Sequence, residues 1–260
     1  MVNPFLQRSD MAFLKNIFRR KEEIKYPSVT DFSSFITDIH SHLIPGIDDG
    51  SKTMEESINL IKRYKALGFR KLVTTPHIMS DAYRNTPDII LGGLDKLREA
   101  VRQEGLDIEI DAAAEYYFDE DFVKLIKQKN LLTIGGKYVL FEVSYMNAPD
   151  NILQVIFDIQ IAGYTPILAH PERYPFWYNK FEEYHKLKES GSLLQLNTNS
   201  LCGYYGPEAK KIAEKMVDSN MIDFIGSDMH GARHMAALER TVNEKHLWKL
   251  ASHGMKNSTL

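Results

Sequence analysis

Histidines and carboxylates recur at the ends of short apolar segments in this 260-residue sequence. His40 and His42 close one segment as a His-x-His pair, and Asp228 and His230 close another as Asp-x-His. Residues two apart on an extended chain point to the same side, so each pair presents two ligand groups together. Five more residues of these types lie at or just beyond segment ends: Asp49, His77, Glu115, Glu142 and His170.

These nine side chains point to one kind of chemistry. Neutral imidazoles and ionised carboxylates bind zinc, manganese or iron, and no thiolate accompanies them. Nine ligands are too many for a single ion and suffice for two or three. Glu142 stands within the apolar run LFEV, where a carboxylate is costly unless it is paired or metal-bound. The sequence therefore predicts a multinuclear metal site.

The remaining four histidines fit ordinary roles. His185, His246 and His253 fall within predicted helices or the C-terminal tail, where a hydrogen-bonded core or surface role suffices. His234 stays open between the two readings because it follows His230 closely.

The segments that carry the nine residues alternate with helical ones from residue 35 onward. Continuous apolar runs such as YVLFEV and TPILA are typical of parallel strands buried on both faces. Repeated strand–helix units predict an α/β fold, either an open sheet or an irregular seven-stranded barrel. The carboxyl ends of parallel strands meet at one face, which would gather the nine side chains. Strands are predicted at residues 35–40, 70–75, 107–112, 138–143, 164–169, 192–197 and 221–226.

Capping signals mark the helices between these strands. Thr53 and Glu56 form a capping-box pattern, and Gly68 ends that helix. Thr86, followed by a proline, begins the next helix, and Gly105 ends it. Further helices are predicted at residues 119–127, 150–162, 180–189, 207–219 and 235–249.

Composition and missing motifs exclude several function classes. Thirty-two basic against thirty-five acidic residues argue against a nucleic-acid binder that works by bulk charge. The chain lacks G-x-G-x-x-G after its first strand, the P-loop motif and HExxH. Its one cysteine, Cys202, has Glu208 six positions on, so the C-x5-R motif of thiol phosphatases is absent. A single cysteine also favours a reducing, cytoplasmic setting.

Residues 1–34 are predicted to be an extension that precedes one catalytic domain at residues 35–260. The extension has no signal-peptide pattern, and the sequence has no transmembrane run. Phe13, Leu14, Ile17 and Phe18 fall at helical spacing beside basic residues. This pattern fits a helix on a membrane surface, a short helix packed on the domain, or a mobile arm.

The motifs DIHSH, TPH, HPER and SDMH, with the isolated Glu115, resemble those of the PHP (polymerase and histidinol phosphatase) superfamily. More narrowly, DIHSHLIPGIDDGSKTMEES followed by TPH and AHPERY resembles the manganese-dependent protein-tyrosine phosphatases, over residues 36–235. That family implies a single distorted (β/α)7 barrel of TIM type. In bacteria it acts on tyrosine kinases that control capsule and exopolysaccharide export, so the partner implied is the phosphotyrosine tail of such a kinase.

The resemblance also implies a three-metal arrangement, with Mn²⁺ preferred and Fe, Co or Zn as alternatives. Asp49 rather than Asp48 is implied as a ligand, because the family's ligand directly precedes the glycine, here Gly50. One metal would be bound by His40, His42, Glu115 and Asp228. A second would share Glu115 and add Glu142 and His170. The third would be bound by Asp49, His77 and His230.

Two arginines are candidates for phosphate binding under the same resemblance. Arg173, in HPER, matches the family's phosphate-binding arginine. Arg233 is the nearest match to a second arginine, but its spacing after Asp-x-His is shorter than in the family, which leaves its role open.

The predicted mechanism follows from metal chemistry. Metal-bound water has a pKa lowered to about 7, so a bridging hydroxide is available to attack phosphorus in line. Arg173 would grip the phosphoryl oxygens with its planar fork. A tyrosine phenol, with a pKa near 10, leaves without strong general-acid help, which favours phosphotyrosine over phosphoserine.

Two other functions stay open at this point. One keeps the metals but assigns a small-molecule phosphoesterase, such as a histidinol-phosphate or nucleotide phosphatase. The other is a non-catalytic module that binds phosphotyrosine or regulates an assembly; the intact set of nine ligands argues against it.

Overall fold

A computed structural model describes residues 30–260 of the chain. Within this range every pairing between strands is parallel, as the unbroken apolar runs predicted. The strands are β1 (Thr37–Asp38), β2 (Lys71–Thr74), β3 (His77–Ile78), β4 (Glu109–Ala112), β5 (Glu115–Tyr117), β6 (Tyr138–Glu142), β7 (Thr165–Ala169), β8 (Leu193–Asn197) and β9 (Phe224–Gly226).

Helices follow the strands in an α/β pattern, and the predicted caps are present. Thr53 accepts a hydrogen bond from the Glu56 amide, and Thr86 accepts one from the Ile89 amide. Of the described residues, none forms a helix both long and apolar enough to cross a bilayer. The helices are α1 (Met54–Ala66), α2 (Pro87–Gln103), α3 (Glu120–Gln128), α4 (Ile152–Ile161), α5 (Glu182–Glu189), α6 (Pro207–Asp218), α7 (Ala232–Thr241) and α8 (Lys245–His253).

The prediction of a single helix at 235–249 is wrong, because two separate helices, α7 and α8, occupy this part of the chain. Thr241 donates its hydroxyl to the Ala237 carbonyl, the kind of back-bond that disturbs a helix. Trp248 then donates its indole N–H to the Val242 carbonyl, which satisfies a backbone group that the break frees.

Two predicted strands continue beyond their expected ends. The sheet with order β1-β2-β4 gives way to a second sheet with order β3-β5-β6-β7-β8-β9. Pro76 lies between β2 and β3 and has no N–H to donate to a neighbouring strand. Strand pairing therefore stops after β2 and resumes at His77, the first residue of β3. The Glu115 amide donates to the Pro76 carbonyl at 3.1 Å as pairing restarts. His77 and Glu115 are therefore the first residues of β3 and β5 rather than loop residues.

The carboxyl ends of the first and last strands are joined by backbone and carboxylate contacts. The His42 amide donates to the Met229 carbonyl at 2.9 Å, and the Asp228 amide donates to the His40 carbonyl at 2.8 Å. The buried Asp38 carboxylate accepts from the His40 and Ser227 amides, each at 3.0 Å. These contacts bring the residues after β1 and β9 to the same place.

A C-terminal side chain joins the same two strands at their other end. Asn257 donates to the carbonyls of Thr37 and Ile225 at 2.9 and 2.8 Å, and accepts from the Ile225 amide at 2.9 Å. The curved sheet encloses an apolar interior that includes Ile39, Val73, Leu140, Ile167 and Phe224.

Candidate metal centre

The structure brings all nine predicted ligands together at the carboxyl ends of the strands. Eight of them fall into three groups, and within each group the ligand atoms lie within 4.8 Å of one another. The first group is His40, His42, Glu115 and Asp228; the second is His42, Asp49, His77 and His230; the third is His77, Glu115 and Glu142. His170, the ninth, faces the third group.

The first group matches the set that the resemblance implied for one metal. His40 Nε2 lies 3.1 Å from Glu115 Oε2 and 3.4 Å from Asp228 Oδ1. His42 Nε2 lies 3.5 and 3.4 Å from the same two oxygens. All four residues are buried. Four ligand atoms of the types that zinc, manganese and iron bind thus converge from β5 and from the chain that follows β1 and β9.

Glu115 stands at the centre of the cluster. His170 Nε2 lies 3.1 Å from Glu115 Oε1 and 3.8 Å from Glu142 Oε2. His77 Nδ1 lies 3.2 Å from Glu115 Oε2 and 3.3 Å from Glu142 Oε1. Glu115 therefore contacts imidazoles on both sides, as a residue shared between two metal sites must.

The second ring nitrogen of His77, Nε2, lies on the side of the cluster that is most exposed to solvent. His77 Nε2 lies 3.5 Å from Asp49 Oδ1, and His230 Nε2 lies 3.4 Å from the same oxygen. The Asp49 side chain is half exposed. The three residues implied for a third metal are thus adjacent, and His42 lies close enough to join them.

Two buried atoms in the cluster lack any hydrogen bond. His77 Nδ1 and Glu115 Oε2 face each other at 3.2 Å, yet neither forms a hydrogen bond of normal geometry. An unsatisfied buried polar atom costs free energy, and native proteins rarely leave one. A divalent cation between such atoms would satisfy both, so the residues present fit metal ions.

Outer hydrogen bonds turn the imidazoles toward the cluster. His40 Nδ1 contacts Gln195 Oε1 at 2.8 Å, and His42 Nδ1 contacts Asp48 Oδ2 at 2.7 Å. Each bond occupies Nδ1 and directs Nε2 inward, the arrangement that orients histidine ligands in metalloproteins. His170 and His230 follow the same pattern, with Nδ1 near the Tyr145 hydroxyl and the Asp228 carbonyl respectively.

The two adjacent aspartates of the first loop have different surroundings. Asp48 is buried, accepts from the Gly50 amide and contacts His42 Nδ1. Asp49 instead faces His77 and His230. The geometry therefore favours Asp49 as a ligand and gives Asp48 the role of orienting His42.

The surroundings of Glu142 disfavour its charged form. Burial and the neighbouring Glu115 carboxylate raise the pKa of Glu142 well above its usual range. Although burial opposes it, the imidazoles of His40 and His77 hold the pKa of Glu115 well below its usual range. Two adjacent buried carboxylates of this kind are stabilised when cations stand between them.

Two of the nine residues adopt left-handed backbone conformations. His170 has φ 35° and Asp228 has φ 52°, each directly after a strand or close to one. Non-glycine residues seldom adopt this conformation, and it is concentrated at functional sites. The turn of the chain directs both side chains into the cluster instead of continuing the strand.

Arg173 borders the cluster between two aromatic rings. Its guanidinium lies 4.0 Å from the Tyr205 ring centre and 5.1 Å from that of Tyr145, and Nη1 pairs with Asp228 Oδ2. Asn197 donates to the Tyr205 hydroxyl at 3.0 Å and to Asp228 Oδ2 at 3.2 Å. Asp228 thus offers Oδ1 to the imidazoles while Oδ2 orients the arginine.

The predicted second arginine has no such surroundings. Arg233 is exposed in the first turn of α7. Among the described residues, no ion pair or hydrogen bond joins its side chain to the cluster. His234, left open by the sequence, lies closer, with its ring 5.3 Å from that of His230.

Sequence reasoning missed the residues that orient the ligands. Asp48, Gln195, Asn197, Tyr145 and Tyr205 all contact predicted site residues. Only Asp48 and Gln195 carried a signal, since one stands beside a predicted ligand and the other interrupts the apolar strand LLQLN.

A parallel α/β fold that gathers histidines and carboxylates at its strand ends defines a class of proteins suited to bind several divalent metals. Residues 36–247 match the family described as "Capsular polysaccharide synthesis, CpsB/CapC". The chain belongs to this family. This confirms the resemblance to the capsule-regulating phosphatase family that the sequence motifs indicated.

Similar proteins carry phosphatase names. The putative tyrosine-protein phosphatase CapC of Staphylococcus aureus is 31% identical over 196 residues, which cover 75% of this chain and 77% of that protein. The tyrosine-protein phosphatase YwqE of Bacillus subtilis is 28% identical over 197 residues, covering 75% and 78%. A chain from the crystal structures of YwqE and Streptococcus pneumoniae CpsB, described as "unique metal-dependent tyrosine phosphatases", superposes with a TM-score of 0.74 at 25% identity. That match covers 85% of this chain and 94% of the other.

Proposed function

We propose that this protein is a metal-dependent protein-tyrosine phosphatase that has no cysteine nucleophile. The observation that carries the proposal is the buried cluster of nine ligand groups beside Arg173. Relatives named tyrosine-protein phosphatases support the substrate class. Cys202 donates to the Asn199 carbonyl, and its sequence context lacks the C-x5-R motif, in agreement with a route that needs no thiolate.

The nine residues would hold two or three divalent ions, with Mn²⁺ preferred. When bound, such ions supply Lewis-acid stabilisation of the phosphoryl charge and a nucleophile at neutral pH. The set His40, His42, Glu115 and Asp228 would hold one ion. Glu115 would be shared with a second site that includes Glu142 and His170, and Asp49, His77 and His230 would complete a third.

Arg173 would bind the phosphoryl group. Its stacking between Tyr145 and Tyr205 fixes the plane of the guanidinium, which can then offer parallel N–H groups to two phosphoryl oxygens. Burial alone would lower the pKa of Arg173. The surrounding Tyr145, Tyr205 and Asp228 outweigh this effect and raise the pKa above its usual range, so the guanidinium stays charged.

The wider setting is part of the same proposal. We infer that residues 35–260 form one distorted (β/α)7 barrel, supported by the parallel bridge between Ser41 and Met229 that brings the two outer strands together. The family description supports a substrate in capsule synthesis, and we infer the phosphotyrosine tail of a bacterial tyrosine kinase, in the cytoplasm. The segment with Phe13, Leu14, Ile17 and Phe18, for which a membrane-surface helix, a packed helix and a mobile arm stayed open, lies outside the described residues.

A substrate comparison tests the proposal. The full-length protein, loaded with Mn²⁺, should hydrolyse phosphotyrosine peptides with a higher kcat/KM than phosphoserine peptides, histidinol phosphate or nucleoside monophosphates. It should also resist vanadate better than a cysteine-dependent phosphatase. Absence of turnover with each of Mn, Fe, Co and Zn would refute the proposal, and faster turnover of a metabolite would replace it with a small-molecule phosphoesterase.

A further inference from the structure

A cavity of about 630 Å³ opens beside the metal centre. Two segments line it: residues 78–85, which follow His77, and residues 119–128, which include α3. Its volume falls in the range of pockets that hold small ligands. We propose that this cavity is a subsite for a bulky apolar side chain that flanks the phosphotyrosine in the substrate protein. The inference rests on the proposed function and deepens it.

Part of the cavity lining is an apolar patch, surrounded by polar and charged residues. Ile78, Met79, Phe122 and Leu125 contribute side chains to it. Phe122 is buried, and Ile78 and Leu125 are partly buried against the same core. An aliphatic or aromatic side chain that entered would remove this apolar patch from water.

Several of the charged residues around the cavity already have partners. The Asp119 carboxylate accepts from the Phe122 amide at 2.8 Å and from the Ser80 amide at 3.0 Å, so it caps α3 and anchors the opposite segment. Asp121 pairs with Lys124 at 2.6 Å. Asp81 and Arg84 line the cavity as well, and Arg84 donates to the Ser80 carbonyl at 2.7 Å. The cavity therefore has charges of both signs around the apolar patch rather than a strong excess of one sign.

A short hairpin connects the cavity to the metal centre. Met79 and Tyr83 form an antiparallel bridge. The Tyr83 ring stacks on the His77 ring with centres 5.5 Å apart and planes 14° apart. Asn85, which lines the cavity, donates to the His77 carbonyl at 2.9 Å. One face of the hairpin therefore meets a proposed metal ligand while the other borders the cavity.

This arrangement suits a substrate that is a polypeptide. A chain that has its phosphate at the metals and runs over the hairpin advances about 3.3–3.6 Å per residue toward the cavity. The cavity is then within reach of a residue a few positions from the phosphotyrosine.

A leucine scan of peptide substrates tests the subsite. The probes are synthetic phosphotyrosine peptides in a glycine–serine background, with one leucine placed at each of the four positions on either side. p-Nitrophenyl phosphate serves as a substrate too small to reach the cavity. With the Mn²⁺-loaded full-length protein, we expect leucine at one position to raise kcat/KM about 10-fold over the all-glycine–serine peptide.

Two variants should abolish that preference by different routes. Leu125→Asn removes apolar surface, and Ser80→Phe fills the cavity; each should reduce the leucine effect to under 2-fold while turnover of p-nitrophenyl phosphate is unchanged. Ile161→Asn replaces an apolar residue that is 69% exposed on α4 and should keep the full effect. Equal rates for all peptides, or variants that leave the leucine effect intact, would overturn the subsite alone. Absence of turnover of every probe would overturn the proposed function together with it.

Discussion

The two ends of the parallel strands differ in what they bury. At the carboxyl ends the buried side chains are imidazoles and carboxylates, and two of their atoms lack hydrogen bonds. At the amino ends Tyr138, Leu193 and Leu260 pack on the apolar interior, and Asn257 satisfies backbone groups of two strands. The carboxyl ends thus concentrate ionisable groups at the expense of stability. The amino ends stabilise the fold and, within the part of the chain that the structure describes, carry no metal-binding groups. Substitutions at the two ends should separate activity from folding.

The largest effect on activity is expected from His42→Ala. His42 belongs to two of the three ligand groups, so its loss weakens two metal sites at once. We expect kcat/KM on phosphotyrosine peptides to fall about 1000-fold, equivalent to about 4 kcal/mol of transition-state stabilisation. Because the buried Asp48 carboxylate loses its partner, some stability is lost too, so the activity is compared in samples whose urea unfolding shows that they are folded. His185→Ala, at an exposed position of α5, is the matched control.

The largest effect on stability is expected from Asn257→Ala. The substitution removes three hydrogen bonds and leaves buried backbone groups of Thr37 and Ile225 unpaired, which should cost about 3 kcal/mol. Urea unfolding of the metal-free protein measures this loss, and turnover well below the melting temperature should persist. Thr259→Ala, at an exposed position of the same turn, should cost about 0.5 kcal/mol or less. Similar stability of both variants would contradict the role given to Asn257.

An intermediate effect is expected from Asp48→Asn. The Asp48 carboxylate holds Nδ1 of His42, and loss of such an outer partner typically weakens metal binding 10- to 100-fold. Titration with Mn²⁺ monitored by calorimetry measures the change, with Asp95→Asn on the exposed face of α2 as the control. Unchanged Mn²⁺ affinity would show that Asp48 does not orient the ligand.

The smallest effect is expected from Tyr205→Leu. A stacked cation–π contact contributes about 1 kcal/mol, so KM for phosphotyrosine peptides should rise about 5-fold, with a smaller change in kcat. Tyr205→Phe keeps the ring and loses the bond from Asn197, and it should behave close to wild type. If both variants have the same KM as wild type, the ring does not position Arg173.

The ligands at the carboxyl ends of the strands could be predicted from the sequence, but the separate roles of two adjacent aspartates could not. Ligands such as His40 and Asp228 were predictable because strand ends converge in any parallel sheet. Asp48 and Asp49 are neighbours of the same type, and the sequence separated them only through a family resemblance. Their different roles depend on the backbone path of one loop, which no periodicity records.

The apolar end was less predictable for a physical reason. Asn257 lies 220 residues from Thr37, and a polar residue near a chain end has no pattern that indicates burial. The split strands and the break between α7 and α8 arise from single residues, Pro76 and Thr241, whose effect depends on the available hydrogen-bond partners. Regular spacing predicted the elements, and tertiary contacts set their limits.

Metal content and activity measured on one sample test the central claim most directly. Elemental analysis of the purified full-length protein should find two or three divalent ions per chain, with phosphotyrosine peptides turned over by the same sample. Chelation should remove both the ions and the activity, and Mn²⁺ should restore both. Full phosphotyrosine turnover by protein that retains less than one ion per chain would contradict the account.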